Sequence, residues 1–462
     1  MNQASIMGNM NNSPAEDQLP TDLSQVIQNH HCIACGACSA VDETVELHLN
    51  STKMIYEPSG PGNTMAAKVC PSIQVDFEML QQKIFPDESR TPIGVVKTIK
   101  LAQSTNRQRN MNASSGGLIK ELLVEYLSRD EVDGAIVLAH SNGLTYEPTL
   151  ITELEEIDRL PGSIYHNVSF AKALTLLKEN HGRYVLVAIP CQLEGIYNYI
   201  FHAEPDLINR IYVTIGLICG WMYSQHSLKA VSEFKKLDFP NIQDVSYRGG
   251  GPVGPLRISF PEEECVINRR RDFDYMVAFD RSFNIPRCHL CINHINFLAD
   301  IVVGDAWLAS TSKTKSGVSI VVCRTDETTN TLAMLEETGR ILCADASEAE
   351  IVESQGRRFT YGDFAYAYAN YLDENSLFYP KMIGPNRSEA RLSPAREVAA
   401  FHKENSYKVQ LQHDEHYQWL WWRKVLIDIK KYAVRGLSKY LNRFLFSGRK
   451  TDEASDKVAM FH

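Results

Sequence analysis

The chain has 462 residues, a hydrophobic content of 44% and a formal net charge of -9. A chain of this length can bury a large core and is expected to hold two or three domains. The acidic balance gives no general basic field for nucleic acid, and no apolar stretch reaches membrane-spanning length, so nucleic-acid-binding and integral membrane proteins are excluded.

The first 22 residues are polar and have neither the basic flank nor the apolar run of a secretory leader. We therefore expect residues 1–22 to be disordered and the protein to be cytoplasmic. In that reducing compartment, the eleven cysteines are expected to be metal ligands, catalytic groups or buried thiols rather than a disulfide framework.

A cysteine-rich loop opens the next predicted region, residues 23–90. In the stretch HHCIACGACSAVD, two residues separate each pair of successive cysteines among Cys32, Cys35 and Cys38, and the nearest fourth thiol is Cys70, which precedes a proline. Structural zinc sites usually draw their ligands from two separated pairs, whereas this spacing with a remote Cys-Pro is typical of an iron–sulfur cluster. The spacing favours a cluster, and zinc stays open as the alternative.

Two other cluster types do not fit this loop. A two-cluster ferredoxin would carry another cysteine at position 42, where Asp42 stands, and no second copy of the motif follows. A radical-SAM loop would need three residues between its first two cysteines. The loop is therefore predicted to serve a single cluster.

Residues 91–385 alternate apolar and amphipathic runs, which predicts an α/β domain with a mixed, largely parallel sheet. Strands are expected in VVKTIKLAQS, GAIVLA, RYVLVAIP and INRIYVTIGLI, and helices in SSGGLIKELLVEYLSRD, FAKALTLLKE and LEGIYNYIF. The first helix would bury Ile119, Leu122, Leu123 and Tyr126 on one face. VSYRGGG and PLRISFP resemble a hairpin, and ADIVVGDAW and SGVSIVVCR resemble further strands.

A glycine-containing turn precedes the first of these helices. Ser114 and Ser115 are candidate N-caps, and Gly116 and Gly117 would let backbone amides approach a phosphate at the positive end of the helix. The stretch is not the dinucleotide fingerprint G-x-G-x-x-G, and glycines at a helix start are common without a ligand. A plain capped helix and an anion site both stay open.

Four further cysteines form a second candidate set. Cys288 and Cys291 make a C-x2-C pair, which in a reducing compartment is chiefly a metal or redox pair and needs two more ligands. Cys191 and Cys219 follow predicted strands, whose carboxyl ends converge where α/β proteins build their sites, although buried core thiols are the alternative. The other cysteines are predicted to be structural thiols: Cys265, Cys323 and Cys343.

Residues 386–462 are predicted to form a helical extension. In WLWWRKVLIDIKKYAVRGLSKYLNRFLFSGRK, apolar residues recur every three or four positions, and basic residues fill much of the remainder. The apolar set is Trp422, Leu426, Ile429, Ala433, Leu437, Leu441 and Phe444, and the basic set is Arg423, Lys424, Lys430, Lys431, Arg435, Lys439 and Arg443. Such a helix is expected on an anionic membrane surface, and docking on its own domain or on a partner is the alternative.

The motifs occur in one order: C-x2-C-G-x-C, a remote C-P, S-S-G-G before a helix, P-C-Q after a strand, Y-R-G-G-G-P-V-G, C-x2-C and A-D-I-V-V-G-D-A-W. This set resembles the coenzyme F420 hydrogenase and dehydrogenase beta-subunit family, which includes a 7-hydroxymethyl chlorophyll a reductase. The resemblance covers about Cys32 to Thr325. Members of the family are iron–sulfur flavoproteins that carry FAD and one or two 4Fe-4S clusters.

The resemblance implies an FAD-dependent oxidoreductase in which the flavin links one-electron clusters to an organic substrate. It implies one cluster at the first four cysteines and a second at Cys191, Cys219, Cys288 and Cys291. The implied cofactor-binding residues are Asn112, Ser114, Ser115, Gly116, Gly117 and Arg248.

Proton donors beside the flavin are expected at Asp305 and His289, with His294 as a further candidate. The expected partners are an electron donor such as ferredoxin or a partner subunit, a small-molecule substrate, and an anionic membrane surface on the cytoplasmic side. Two other functions stay open, a non-catalytic electron-relay subunit of a larger redox complex and a zinc-stabilised binding protein.

Overall fold

The computed structural model describes residues 19–251, 254–312, 314, 316–384 and 394–429, without the side chains of 357–363. Most of the predicted disordered start, residues 1–22, and the greater part of the 386–462 extension therefore lie outside the described residues.

Seventeen strands occur in the described chain. They are β1 (Leu47–Leu49), β2 (Tyr56–Pro58), β3 (Gln74–Asp76), β4 (Arg90–Thr91), β5 (Gly94–Val95), β6 (Thr98–Ser104), β7 (Gly134–Asn142), β8 (Thr145–Ile151), β9 (Tyr184–Ala188), β10 (Ile211–Leu217), β11 (Asp244–Ser246), β12 (Leu256–Ser259), β13 (Glu264–Ile267), β14 (Ile301–Asp305), β15 (Ser319–Cys323), β16 (Ile341–Asp345) and β17 (Lys381–Ile383).

The α-helices are α1 (Ser24–Gln28), α2 (Ala37–Val41), α3 (Thr64–Val69), α4 (Phe77–Ile84), α5 (Arg107–Asn112), α6 (Leu118–Leu127), α7 (Leu154–Ile157), α8 (Ala171–Glu179), α9 (Pro190–His202), α10 (His226–Lys235), α11 (Phe273–Ala278), α12 (Asp326–Glu337), α13 (Glu348–Glu374) and α14 (Ala395–His413). Residues 417–429 are also helical. No helix in these described ranges is both long and apolar enough to cross a membrane.

An eight-stranded sheet forms the centre of the fold, in the order β16-β6-β15-β14-β10-β9-β7-β8. The mixed α/β fold is confirmed, with parallel pairing confined to β14–β10, β10–β9 and β9–β7 and antiparallel pairing on both sides. Parallel neighbours need a crossover, which α9 supplies between β9 and β10, whereas only a short turn joins β7 to β8. The sheet is therefore more antiparallel than the strand–helix alternation predicts.

Both faces of this sheet are covered. Along β7, Ile136 points into the core that includes α8 and α9, while Ala135 and Val137 point into the core that includes α6 and α12. This two-residue alternation is the strand period, and it places a helical layer on each side. The predicted hairpin also forms, since β11 pairs antiparallel with β12 and β12 with β13 in a separate three-stranded sheet.

Candidate metal and cofactor sites

The four N-terminal cysteines line one pocket. Cys32 and Cys35 lie in the loop before α2, Cys38 lies in α2, and Cys70 directly follows α3. The packing of α2 on α3 brings Cys70 to the other three. The pocket is also lined by apolar side chains, among them Leu23, Val26 and Leu47.

Gly36 fixes this loop against the central domain. It is the N-cap of α2 with a φ of 83°, a region in which residues with a Cβ are strained. A Cβ added there would lie 2.2 Å from the Cα of Ala171 in α8. Only glycine allows this close approach, so the cysteine loop is held on the helix that covers the sheet.

Burial raises the pKa of all four thiols in the pocket. The pKa of Cys70 rises to about 11, and for Cys32, Cys35 and Cys38 the neighbouring thiols add to the effect of burial. A buried thiolate is costly unless a positive charge or hydrogen bonds stabilise it. The backbone N–H of Ala34 donates such a hydrogen bond to Sγ of Cys32 at 3.3 Å. The donor set therefore suits a metal centre.

Buried nitrogen atoms around the cysteines also fit such a centre. In the described chain, Nδ1 of His31, Nε of Arg287 and Nε2 of His289 are buried and have no hydrogen-bond partner. His31 precedes Cys32, and the other two flank Cys288. Buried polar atoms are normally paired, and the sulfur atoms of a cluster would accept hydrogen bonds from donors placed in this way.

Among the described residues, no three His, Cys, Asp or Glu side chains are arranged to hold one metal ion. The choice between a zinc ion and a cluster therefore rests on the spacing of the cysteines in the sequence.

The second set of cysteines also comes together. Cys191 lies in the first turn of α9, Cys219 follows β10, and Cys288 and Cys291 belong to the turn around the 3-10 helix Pro286–Leu290. Burial raises the pKa of the Cys191 thiol, and the charges of Glu194 and of the other three thiols raise it further, so each of these three thiols lies near Cys191.

This second set has backbone support as well. The N–H of Met222 donates to Sγ of Cys288 at 3.3 Å, and burial raises the pKa of that thiol to about 11. The cysteines that we predicted to be structural lie in strands instead: Cys265 in β13, Cys323 in β15 and Cys343 in β16.

The predicted serine N-caps of α6 are wrong. Gly117 is the N-cap, with a φ of 76° and no side-chain cap bond, and the helix begins at Leu118. Ser115 is used elsewhere, because its Oγ contacts Oγ of Ser319 at 2.9 Å and the carbonyl of Val318 at 3.1 Å. The N–H of Gly116 donates to the same Ser319 hydroxyl at 2.9 Å. The turn is thus tied to β15.

The remaining loop residues differ in exposure. Asn112 is exposed at the end of α5, and Oγ of Ser114 accepts a hydrogen bond from the N–H of Ser163 at 3.2 Å. A Cβ added at Gly162 would contact both this Oγ, at 3.4 Å, and the carbonyl oxygen of Arg248, at 3.6 Å. Ser114 and Arg248 therefore border the same space.

The buried guanidinium of Arg248 pairs with the half-buried carboxylate of Asp305. The guanidinium donates to the two carboxylate oxygens at 2.7 and 2.8 Å, and only 5% of the Arg248 side chain is exposed. The guanidinium lies 5.5 Å from the ring centre of Trp307 and 3.4 Å from the hydroxyl of Tyr165. Since both oxygens of Asp305 are engaged, the geometry suits binding and positioning better than proton donation.

The contacts of the predicted histidines, His289 and His294, are with residues other than Arg248 and Asp305. His289 stacks edge-on with Phe401 of α14, at 5.0 Å between ring centres, and burial lowers its pKa to about 3. Nδ1 of His294 lies 2.8 Å from the carbonyl oxygen of Cys219. Both histidines belong to the surroundings of the cysteines.

Sequence reasoning missed several residues of these sites. Glu194, Arg287 and Asn293 form a buried polar network beside the second cysteine set. Tyr165 and Trp307 border the Arg248–Asp305 pair. Trp307 stands two residues after Asp305, so a search for aromatic residues beside the candidate carboxylate would have found it.

Two of the relatives found by comparison belong to archaeal enzymes. The F subunit of the F(420)H(2) dehydrogenase from Methanosarcina mazei is 22% identical over 324 residues, which are 65% of this chain and 84% of that protein. The beta subunit of the coenzyme F420 hydrogenase from Methanosarcina barkeri is 23% identical over 241 residues, which are 49% of this chain and 78% of that protein. A chain of the F420-reducing NiFe hydrogenase complex from Methanosarcina barkeri aligns with a TM-score of 0.48 at 17% identity, covering 62% of this chain and 96% of that one.

Two family models match adjoining parts of the chain. The model for the N-terminal part of the coenzyme F420 hydrogenase/dehydrogenase beta subunit matches residues 99–175, and the model for its C-terminal part matches residues 181–349. Together they cover more than half of the chain. The chain therefore belongs to the coenzyme F420 hydrogenase/dehydrogenase beta-subunit family.

Proposed function

We propose that this oxidoreductase-family chain is an iron–sulfur flavoprotein that carries two 4Fe-4S clusters and FAD and reduces or oxidises a small organic substrate. The observation that carries the proposal is the convergence of eight cysteines, from distant parts of the sequence, into two groups of four. Unpaired buried donors on His31, Arg287 and His289 support it.

The residues divide by task. Cys32, Cys35, Cys38 and Cys70 would hold one cluster, and Cys191, Cys219, Cys288 and Cys291 the other. The turn from Asn112 to Gly117, with Arg248, would bind the flavin, and Asp305 would orient the arginine. When bound, clusters supply one-electron exchange and FAD supplies exchange between one and two electrons.

The iron content of cysteine variants tests this proposal. After anaerobic purification, Cys32→Ala or Cys70→Ala should lose about half of the iron and keep the signal of the second cluster, while Cys288→Ala should do the converse. Cys323→Ala is the matched control and should keep all the iron, because Cys323 is a buried thiol of β15. Colourless protein with zinc and no flavin would contradict the proposal, and unchanged iron in Cys191→Ala and Cys219→Ala would remove those two from the ligand set.

The names of the relatives favour a second candidate function, that of a relay subunit. Both are subunits of a dehydrogenase or a hydrogenase, so a partner subunit is a natural source of electrons for this chain. Single-turnover reduction of the bound flavin by a low-potential donor, followed by addition of organic acceptors that include the deazaflavin coenzyme, separates the two functions. Reoxidation by an organic acceptor supports the enzyme, and reoxidation by protein acceptors alone supports the relay.

We also propose that the C-terminal helix binds an anionic membrane surface from the cytoplasmic side. In its described part, Trp422, Leu426 and Ile429 are exposed and recur at i, i+4 and i+7, which gives one apolar stripe. The rest of the predicted stripe and five of the seven basic residues, from Lys430 to Phe444, lie outside the described residues. Apolar burial and basic charge both favour binding to anionic lipid.

Vesicle sedimentation tests the membrane proposal. Binding to phosphatidylglycerol vesicles but not to phosphatidylcholine vesicles, weakened by salt, is expected. Replacing Trp422, Leu426 and Ile429 together with Ser should abolish it, while Val266→Ser, an exposed apolar residue of β13, should not. Equal binding by the triple variant would contradict the proposal.

A further inference from the structure

One helix contacts both cysteine sites. Cys191 stands in the first turn of α9, and Gly195 follows four residues later, on the same face of the helix. A Cβ added at Gly195 would lie 2.5 Å from Sγ of Cys35. The two helix positions that belong to the two sites are therefore about one turn apart, roughly 6 Å along the axis.

A buried carboxylate lies on α9 between these two contacts. Glu194 is 1% exposed, and its Oε1 accepts a hydrogen bond from Nδ2 of Asn293 at 2.9 Å. Its Oε2 lies 3.5 Å from Nη2 of Arg287, which is itself 3% exposed. Arg287 and Asn293 stand on either side of the Cys288–Cys291 pair in the sequence. The charged network is thus built into the wall of the second site.

The two charges lie at different places around the second site. Glu194 stands three residues after Cys191 on α9, and Arg287 directly precedes Cys288. Burial raises the pKa of Glu194, and the Arg287 charge and the Asn293 hydrogen bond oppose that effect, which favours the carboxylate. Fields in a buried region are screened much less than at the surface, so fixed charges at this position matter for any electron that enters the site.

We propose that the buried Glu194–Arg287 pair sets the difference in reduction potential between the two clusters. Glu194 lowers the potential at the second site, because an added electron is repelled by a neighbouring carboxylate, and Arg287 opposes this effect. The pair thereby determines which site holds an electron shared by the two. This inference rests on the proposed function, since it requires both clusters.

Redox titration of the holoprotein, followed by electron paramagnetic resonance, tests the pair. Signals are assigned first with Cys70→Ala and Cys288→Ala, and if the wild type shows no cluster signals the proposed function itself fails. In Glu194→Gln, the ratio of reduced to oxidised second cluster at a fixed potential should rise at least tenfold, which is about 59 mV for a one-electron couple. The first cluster should shift less. Arg287→Gln should move the second cluster in the opposite direction.

A matched control is available in Glu121, which is 3% exposed and also pairs with arginines, Arg109 and Arg340. Glu121→Gln removes a buried, arginine-paired carboxylate and should leave both potentials unchanged. Unchanged potentials in Glu194→Gln, or equal shifts of both clusters, would overturn the inference. Loss of the second cluster from both Glu194→Gln and Arg287→Gln would also overturn it, because the pair would then serve only to hold the ligands.

Discussion

At the scale of single residues, Gly195 shows how little room the first cysteine site has. Any side chain at this position would clash with the sulfur of Cys35, which lies in another part of the chain. We expect Gly195→Ala to lose the iron of the first site and keep that of the second. The measurement is iron per chain together with the cluster signals of the purified protein.

The matched control is Gly356, which is also inside a helix but, among the described atoms, has no heavy atom within 4 Å of an added Cβ. Gly356→Ala should keep all iron and stabilise α13 by roughly 0.5–1 kcal/mol, because alanine has the better helix propensity. If the Gly195→Ala protein kept the iron of both sites, α9 would not limit the space for the first cluster.

Arg248 gives a second prediction at this scale. Its planar fork meets both oxygens of Asp305 and lies over Trp307, and a lysine ammonium cannot make the two-pronged contact. Arg248→Lys should weaken FAD binding by roughly tenfold or more, since charge-assisted bonds contribute about 1.5–3 kcal/mol. Flavin per chain and the FAD dissociation constant measure this. Arg257→Lys, which alters a more exposed ion pair of the small sheet, should keep normal affinity.

Local pattern explains which residues could be found from the sequence. Cys32, Cys35 and Cys38 share one loop, so their spacing alone indicates a metal site. Glu194 could not be found in this way, because its proposed role depends on an ion pair with Arg287, which is distant in the sequence but 3.5 Å away in space. Ser114 and Ser115 were wrongly predicted as caps because bonds to Ser163, Val318 and Ser319 hold the turn in another conformation.

At the scale of elements, the helix of residues 417–429 has two apolar sides. Tyr417, Leu420 and Trp421 pack into the core of the three-stranded sheet, whereas Trp422 and Leu426 are exposed. Truncation after Asp414 should therefore remove part of that core and lower the free energy of unfolding by several kcal/mol, since each large buried side chain contributes about 2–5 kcal/mol. Denaturant unfolding of the truncated and the full-length protein measures the difference.

In the central sheet, the sequence predicts where the strands and helices lie but not the order of the strands. Strand and helix positions follow from their hydrophobic periods, as α6 with buried Leu122, Leu123 and Tyr126 shows. Strand order is not encoded in that way. β6 pairs with β15 and β16, which come much later in the chain, so the antiparallel half of the sheet could not be read from the alternation of strands and helices.

At the scale of the whole molecule, buried neutral histidines predict acid sensitivity. Burial lowers the pKa of His166 and of His226 to about 4. Between about pH 6.5 and pH 4 the unfolded chain binds protons at these sites and the folded chain does not, so the free energy of unfolding falls as the pH falls. The loss is on the order of 3 kcal/mol for each histidine and is complete only below pH 4.

Denaturant unfolding at a series of pH values measures this loss. His166→Gln should flatten the slope between pH 6.5 and pH 4, whereas His48→Gln, an exposed residue of β1, should not. An unchanged slope in His166→Gln would mean that other groups cause the acid sensitivity.

The pairing of β17 with β3 has a consequence for the order in which the protein is made. Lys381–Ile383 pairs in parallel with Gln74–Asp76, and β3 begins four residues after Cys70. His31 likewise has Phe378 as a neighbour, at 5.6 Å between ring centres. The N-terminal cysteines are thus enclosed by a strand that comes much later in the chain. A nascent chain that stops before residue 381 leaves this edge open, so the N-terminal site is enclosed only after β17 has been synthesised.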